Sequence, residues 1–499
     1  PVDLLWNGGI GTYIKSTTET HAQVGDKAND AIRINGGDIR ARVIGEGGNL
    51  GATQLGRIEA ARAGVKLNTD AIDNSAGVDT SDHEVNIKIL LDQAVTAGML
   101  SVDDRNKQLA VMTDEVGELV LRDNYEQNLI LVQARYQDAE MLRVHKRLIN
   151  HLEDEGLLNR AIEYLPTDAQ LDSLHAQGMG LTSPELSVLM AYVKIDLSKD
   201  LAADEIVNEK WCREVLQNYF PSDLRIKYAD LMDTHPLRKE IISTVLTNDV
   251  VNRGGITFTW RAAEESGAGT SEILRASVVS REVFGLAKLW ENIESLDGLI
   301  STDCQTQLIL ESRRLLDRAT RWFLQSRGGR LNVEEEIEKF AATVAQLTKL
   351  VPGMLRGVEG ERAAAIAKNF QSQGVPADLA LRTGCFLDEF SLLDVIEIAN
   401  REKASPENVA ELYFALSERY DIDRMLFHIT ALARDDRWTA YARSALRSDL
   451  YVALAALTSR VVQATKDSDS IDSRISQWEA KFAEGVARTK ATLNEIAHS

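Results

Sequence analysis

The chain has 499 residues, a formal net charge of -20 and a pI near 5.0, and 44% of its residues are hydrophobic. This is an ordinary globular balance in a chain long enough for several hydrophobic cores. The acidity argues against nucleic acid and anionic membranes as partners, because both would be repelled, and no apolar run approaches the length of a membrane span.

Residues 1–97 alternate short apolar runs with glycine clusters, which is typical of a parallel sheet with helices on its faces. The chain opens at Pro1 directly on an apolar run, which we interpret as an internal cut through a folded domain. In chain order we predict a strand at residues 2–6, a helix at about 18–34, a strand at 41–44, a helix from the N-cap Thr53 to Gly64, and a strand at 65–68.

Three glycine clusters, at 7–11, 45–51 and 74–77, lie at the ends of these predicted strands. A backbone that approaches a pyrophosphate closely cannot carry Cβ atoms, so such turns favour a nucleotide crevice at one edge of the sheet. The second cluster, together with Asp70, approaches the spacing of a dinucleotide fingerprint, although its third glycine lies one position late. Taken alone, this turn is equally compatible with a purely structural role.

Beyond residue 98, amphipathic helices replace the strands. Apolar residues recur at helical spacing over 109–120, and later helices begin with recognisable N-terminal signals. These signals are the capping boxes of Thr167 with Gln170 and of Thr182 with Glu185, Pro184 in a first turn, and Ser405 before Pro406 and Glu407. The sequence therefore predicts a large α-helical region.

Neither the cysteines nor the histidines predict a metal site. Cys212, Cys304 and Cys385 are odd in number, far apart and not in CxxC spacing, which also argues against disulfides and fits a reducing cytoplasm. His145 and His151 lie on different faces of a helix, so they form no metal pair.

Two motifs are similar to those of the glutamate dehydrogenases. Residues 46–49 read Glu-Gly-Gly-Asn and residues 74–81 read Asn-Ser-Ala-Gly-Val-Asp-Thr-Ser, where that family has Glu-Gly-Ala-Asn and Asn-Ala-Gly-Gly-Val followed by a serine. The run 43–91 resembles the large-subunit, NAD-specific class. Further likeness at 235–240 and 252–258 extends the resemblance over most of the chain.

The sequence departs from the family beside the second motif. Ordinary members have aromatic residues where Asp82 and His83 stand, which puts the detailed substrate geometry in question. His83 lies beside Asp82 and Glu84, but neighbouring residues on a helix do not face each other, so this run does not predict an acid–base pair.

The resemblance implies an α/β fold followed by an all-α region. Residues 1–97 would be the C-terminal portion of a Rossmann-like, NAD-binding domain. Residues 98–165 would be long helices that close the catalytic domain, and residues 166–499 would form an α-helical C-terminal domain.

The resemblance also implies the roles of individual residues. Ser81 would bind the side-chain carboxylate of the substrate, and with Glu84 it also fits a capping box, a role compatible with the first. Asp70 would not be the ribose partner, which would lie upstream. The implied cofactor-binding residues are Asn7 and Gly8 along the cofactor, Glu46 and Gly47 in the second turn, Asn49 near the ribose, and Asn74 on the nicotinamide carboxamide.

The implied activity is that of an NAD-dependent glutamate dehydrogenase, which converts L-glutamate, NAD and water to 2-oxoglutarate, ammonium and NADH. We find no match to the family's catalytic lysine motif, so we assign no catalytic residue and expect the chain alone to be inactive. The resemblance also implies a homo-oligomer. Two alternatives stay open: a nucleotide-binding regulatory or oligomerisation module, and a dehydrogenase of an apolar amino acid, against which Ser81 argues.

Overall fold

A computed structural model describes residues 2–432, 437–467, 469–482 and 485. The chain divides into two compact units. The first unit comprises Pro1–Glu264 and Gly269–Leu274, and the second comprises Glu265–Ala268 and Arg275–Ser499. The mostly helical character predicted for the chain beyond residue 98 is confirmed. None of the helices in the described ranges combines the length and apolarity needed to cross a membrane.

The strands of the described residues form two small parallel sheets. They are β1 (Leu4–Asn7) paired with β4 (Val43–Glu46), and β2 (Ile14–Lys15) paired with β3 (Ile34–Asn35). Asn7 lies opposite Glu46, so β1 and β4 end at the same edge of their sheet. The strand predicted at 65–68 is reduced to one parallel bridge between Lys66 and Val43.

The prediction of one continuous helix over about 18–34 is wrong. The structure has only the short helix α1 (His21–Val24) and a 3-10 turn at Lys27–Asn29. Gly25 has φ of 78°, a left-handed conformation that ends α1. The Asp26 carboxylate then accepts a hydrogen bond from the backbone N of Thr12 at 2.8 Å, which ties the segment to the loop after β1.

The helix expected after Thr53 is confirmed as α2 (Gln54–Arg62), and the Thr53 hydroxyl accepts a hydrogen bond from the backbone N of Gly56 at 3.0 Å. α2 covers a small apolar core beneath the two sheets. Its buried members are Ile14, Ile44, Ala52, Ala60, Val65 and Leu67.

Glu59 on α2 anchors two loops through hydrogen bonds to its carboxylate. Ser16 Oγ and the backbone N of Thr17 donate at 2.7 Å each, and the backbone N of Gly37 donates at 2.8 Å. Burial opposes ionisation, but these hydrogen bonds outweigh it and lower the pKa of Glu59 to about 2.

Glu59→Gln is expected to lower the free energy of unfolding by about 1 kcal/mol at neutral pH, because solvent screening limits the gain from a partly exposed carboxylate. A depressed pKa contributes stability that is present above the unfolded value of 4.5 and is lost as pH falls towards about 2. The difference between wild type and variant in urea denaturation should therefore shrink over that window. A stability difference between wild type and variant that stays constant down to about pH 2 would contradict the stabilising role of the ionised Glu59 carboxylate.

The remaining helices of the first unit pack in pairs, with α4 against α6 and α9 against α13. The capping boxes predicted at Thr167 and Thr182 are confirmed at the starts of α8 and α9. In order the helices are α3 (Asp70–Asp73), α4 (Ser75–Thr96), α5 (Val102–Val111), α6 (Thr113–Tyr136), α7 (Asp138–Asp154), α8 (Asp168–Ala176), α9 (Ser183–Ala203), α10 (Cys212–Tyr219), α11 (Ser222–Lys227), α12 (Ala229–Met232), α13 (Arg238–Gly254) and α14 (Phe258–Ser266).

The described part of the second unit is helical. Ser405 caps its helix as predicted. Cys304 and Cys385, which lie in this unit, are buried thiols that form no disulfide. The helices from α15 onward are α15 (Thr270–Val283), α16 (Leu286–Glu294), α17 (Thr302–Arg327), α18 (Val333–Leu347), α19 (Val351–Met354), α20 (Gly357–Ser372), α21 (Ala377–Glu389), α22 (Leu392–Glu402), α23 (Pro406–Arg419), α24 (Ile422–Ala431), α25 (Arg437–Ala464) and α26 (Ile471–Lys481).

Gly384→Ala is expected to destabilise the second unit by about 1–3 kcal/mol, because α20 and α21 pack too closely for a side chain there. A Cβ at Gly384 would collide with the carbonyl oxygen of Ala363 on the facing helix. Urea denaturation of the variant measures the effect. Gly353→Ala on α19 is the matched control, since a Cβ at Gly353 meets nothing within 4 Å. Equal midpoints for the two variants would refute the close-packing explanation.

Candidate functional site

The three predicted glycine clusters meet in the structure. The carbonyl oxygen of Asn7 accepts hydrogen bonds from the backbone N atoms of Gly47 and Gly48, at 2.8 and 3.1 Å. The side chain of Asn74, just before α4, donates from Nδ2 to Oδ1 of Asn49 at 3.1 Å. The loops after β1 and β4 and the start of α4 therefore form one surface at the carboxyl end of the sheet.

Two glycines of this surface are packed too closely for a side chain. A Cβ at Gly48 would lie 2.6 Å from the carbonyl oxygen of Gly9, and a Cβ at Gly47 would lie 2.5 Å from the indole ring of Trp6. Only glycine fits at these two positions, because Gly9 and the Trp6 ring occupy the space that a Cβ would need. Gly8 belongs to the same surface and is exposed.

Asn7 supplies a polar group without a protein partner. Its side-chain Nδ2 is buried and makes no hydrogen bond, while its carbonyl oxygen is used by the turn that follows β4. A buried donor left unpaired costs free energy, which an acceptor atom of a ligand would offset. Together with the exposed amides of Asn49 and Asn74, it gives this surface three carboxamide groups.

Glu46, predicted to bind the cofactor, directs its side chain into the protein. Its carboxylate is buried and pairs with Arg57, with Nε to Oε1 at 2.6 Å and Nη2 to Oε2 at 2.9 Å. Arg57 also contacts Asp70 at 3.1 Å, and Asp70 accepts a hydrogen bond from the backbone N of Leu50 at 2.7 Å. This ion-paired group holds the loop between Glu46 and Leu50 in place.

The capping role predicted for Ser81 is wrong. α4 begins at Ser75, nearly two turns earlier, so Gly77 belongs to the helix and not to a turn. Asn124 on α6 stabilises this early start by donating from Nδ2 to the carbonyl oxygen of Ile72 and to Ser75 Oγ, both at 2.9 Å. Ser81 itself is exposed, and its hydroxyl donates to the carbonyl oxygen of Val78 at 2.8 Å.

A buried group of ionisable residues lies between α4 and α6 and was missed from the sequence. The potential ligand atoms of Asp79, His83 and Asp123 lie within 4.8 Å of one another. His83 faces Asp79, one turn away on α4, and not its neighbours Asp82 and Glu84. The i, i+4 spacing of Asp79 and His83 was the available signal. Asp123 comes from another helix, and no local pattern links it to them.

Burial dominates the electrostatics of this group. Burial lowers the pKa of His83 to about 4, and it combines with the neighbouring carboxylate of Asp79 to raise the pKa of Asp123 to about 7. Lys194 on α9 faces Asp123, and burial lowers its pKa to about 8. His83 also stacks on Tyr219, with ring centroids 4.1 Å apart and planes 11° apart. A flat ring thus fills a position where ordinary glutamate dehydrogenases have an aromatic residue.

Comparison with known proteins gives two family matches. Residues 1–134 match the model of the bacterial NAD-glutamate dehydrogenase catalytic domain, and residues 178–499 match that of the glutamate dehydrogenase C-terminal region. The chain is 44% identical over 499 residues to the NAD-specific glutamate dehydrogenase of Mycobacterium tuberculosis, which is 100% of this chain and 31% of that protein. The enzymes of the same name from Halomonas elongata and Pseudomonas aeruginosa are 41% and 42% identical over 496 residues. Each match covers 99% of this chain and 31% of the relative.

Proposed function

This chain belongs to the glutamate dehydrogenase family whose C-terminal region it matches over residues 178–499. On that premise we propose that it forms one wall of the cofactor site, and the helical C-terminal region, of an NAD-dependent glutamate dehydrogenase. The reaction would be the oxidation of L-glutamate with NAD and water to 2-oxoglutarate, ammonium and NADH. The observation that carries the proposal is the meeting of Asn7, Asn49 and Asn74 on one glycine-rich surface. The chain spans about a third of the length of the curated relatives that it matches.

The residues of this surface fit a dinucleotide. The unpaired Nδ2 of Asn7 offers a donor, the exposed main chain at Gly8 would lie along the cofactor, and the Asn74 amide would bind the nicotinamide carboxamide. Gly47 would act indirectly, because its missing side chain lets the Trp6 ring pack against the turn. Asn49 would serve the ribose. When bound, NAD supplies the hydride-accepting ring, and the protein supplies position and electrostatics. Glu46 would act indirectly in this site, by holding the loop through Arg57.

The exposed strand β1 supports a larger Rossmann-like domain. Leu4, Leu5 and Trp6 are 56%, 39% and 61% exposed, whereas strands of parallel sheets are normally covered on both faces. Within the described residues β1 pairs only with β4. Further strands of a dinucleotide-binding sheet would cover these side chains.

Ser81 would bind the distal carboxylate of glutamate. Its exposed hydroxyl is held only by the helix carbonyl oxygens, so it is free to turn towards an anionic ligand. This contact favours glutamate over an apolar amino acid. The catalytic lysine and aspartate of the family would come from a part of the enzyme that this chain does not contain.

Glutamate-dependent NADH formation tests the proposal, measured on this chain and on a whole protein of the relatives' length that contains it. We expect activity only in the whole protein. Turnover by the chain alone would overturn the assignment of the catalytic residues to another part of the enzyme. Inactivity of both proteins, with NAD still bound by the chain, would favour a nucleotide-binding regulatory module.

A further inference from the structure

The group formed by Asp79, His83 and Asp123 has the composition and spacing of a cation site. Asp79 and His83 lie one turn apart on α4, and Asp123 faces them from α6. Their potential ligand atoms lie within 4.8 Å of one another. Ligands of tetrahedral zinc stand roughly 3.4 Å apart, given bonds of about 2.0–2.1 Å. Small side-chain rotations are enough to close the difference.

The imidazole of His83 is buried and aimed at this group, yet it makes no hydrogen bond there. Its side chain is 2% exposed, and its Nδ1 is buried without a hydrogen-bond partner. Its Nε2 points at the Asp79 carboxylate but lies 3.9 Å away, too far for a hydrogen bond. The carboxyl groups of Asp79 and Asp123 lie close enough to share a side-chain hydrogen bond, so two candidate ligand groups already face each other. Stacking on Tyr219 fixes the orientation of the ring.

We propose that Asp79, His83 and Asp123 bind one divalent transition-metal cation of the zinc class between α4 and α6. One imidazole and two carboxylates suit zinc better than magnesium, which prefers oxygen ligands alone. Three protein ligands leave a coordination position for water or another small ligand. The cation joins α4 to α6, and so holds the helix that begins beside Asn74. The proposal does not depend on the assignment of NAD or glutamate.

The test is a titration of the metal-free chain with Zn²⁺ in competition with a chromogenic chelator, repeated with Mg²⁺. We expect one Zn²⁺ per chain at this group and no competition from Mg²⁺. Co²⁺ should bind at the same site and give visible absorption bands typical of nitrogen and oxygen ligands in a low-symmetry site. Binding of Mg²⁺ as tight as that of Zn²⁺ would overturn the assignment of an imidazole ligand.

Variants decide whether the bound ion belongs to this group. His83→Gln and Asp123→Asn should weaken Zn²⁺ binding by more than about 100-fold, since loss of even an outer-shell partner costs about 10–100-fold. His428→Gln, at an exposed histidine on α24, should leave it unchanged. Equal Zn²⁺ binding by all variants would show an adventitious ion only and overturn the proposal.

Circular dichroism of each metal-free variant separates loss of the site from loss of the fold. If Asp123→Asn does not fold, Asp79→Asn replaces it, because the Asp79 side chain is 25% exposed and tolerates the change better. The Co²⁺ absorption bands should disappear in the folded variant. Their persistence in a folded Asp79→Asn chain would exclude Asp79 as a ligand and overturn the three-residue site.

Discussion

Arg57→Met is expected to destabilise the first unit by about 3–5 kcal/mol, because it leaves the carboxylate of Glu46 buried without its counter-ion. Arg57 is 4% exposed and Glu46 is 1% exposed, so water cannot replace the lost partner. Only the backbone N of Ala52, at 3.2 Å, would still donate to that carboxylate. Urea denaturation at neutral pH measures the loss.

Two controls identify the source of this effect. Glu46→Leu combined with Arg57→Met should be more stable than Arg57→Met alone, because no unpaired charge stays buried. Lys88→Met removes an exposed cation that pairs with Glu84 on α4, and should cost at most about 1 kcal/mol. A double variant less stable than Arg57→Met would contradict the ion-pair explanation.

Ser81→Ala in the whole enzyme is expected to lower kcat/KM for glutamate by about 10- to 100-fold. Such a decrease corresponds to the loss of one hydrogen bond to a charged group, which contributes about 1.5–3 kcal/mol. The effect should fall mainly on the KM for glutamate, while the KM for NAD stays unchanged. Steady-state kinetics with each substrate varied in turn measures both constants.

Thr80→Ala is the matched control for Ser81. Thr80 is the preceding residue on α4, is also exposed, and its hydroxyl donates to the carbonyl oxygen of Ala76 at 2.7 Å. The two substitutions remove the same kind of helix hydrogen bond from different faces. Equal losses in the two variants would assign the effect to the helix and remove Ser81 from the substrate site.

Local signals in the sequence predicted local structure well. The N-cap at Thr53 and the capping boxes at Thr167 and Thr182 involve residues within three positions of each other, so their geometry does not depend on the rest of the fold. The meeting of the glycine clusters was also predictable, because parallel strands end at one edge.

The predictions that are wrong concern segments whose structure depends on residues far away in the sequence. Asp26 binds the main chain at Thr12 and interrupts a pattern that predicted a continuous helix. The sequence predicted a turn at Gly77, but a hydrogen bond from Asn124 to Ser75 stabilises an earlier start of α4, at Ser75. The approach of Asp123 to His83 depends on how α4 and α6 pack, and no spacing in the sequence encodes it.

The uncovered strand β1 affects how the isolated chain behaves in solution. Within the described residues, one backbone edge of β1 pairs with no other strand and its apolar side chains are exposed, so β1 is a template for a strand of another molecule. We therefore expect chains produced on their own to associate through β1 at high concentration. Light scattering of the isolated chain would therefore measure association through β1. The number of subunits in the native assembly has to be measured on a protein in which β1 is covered.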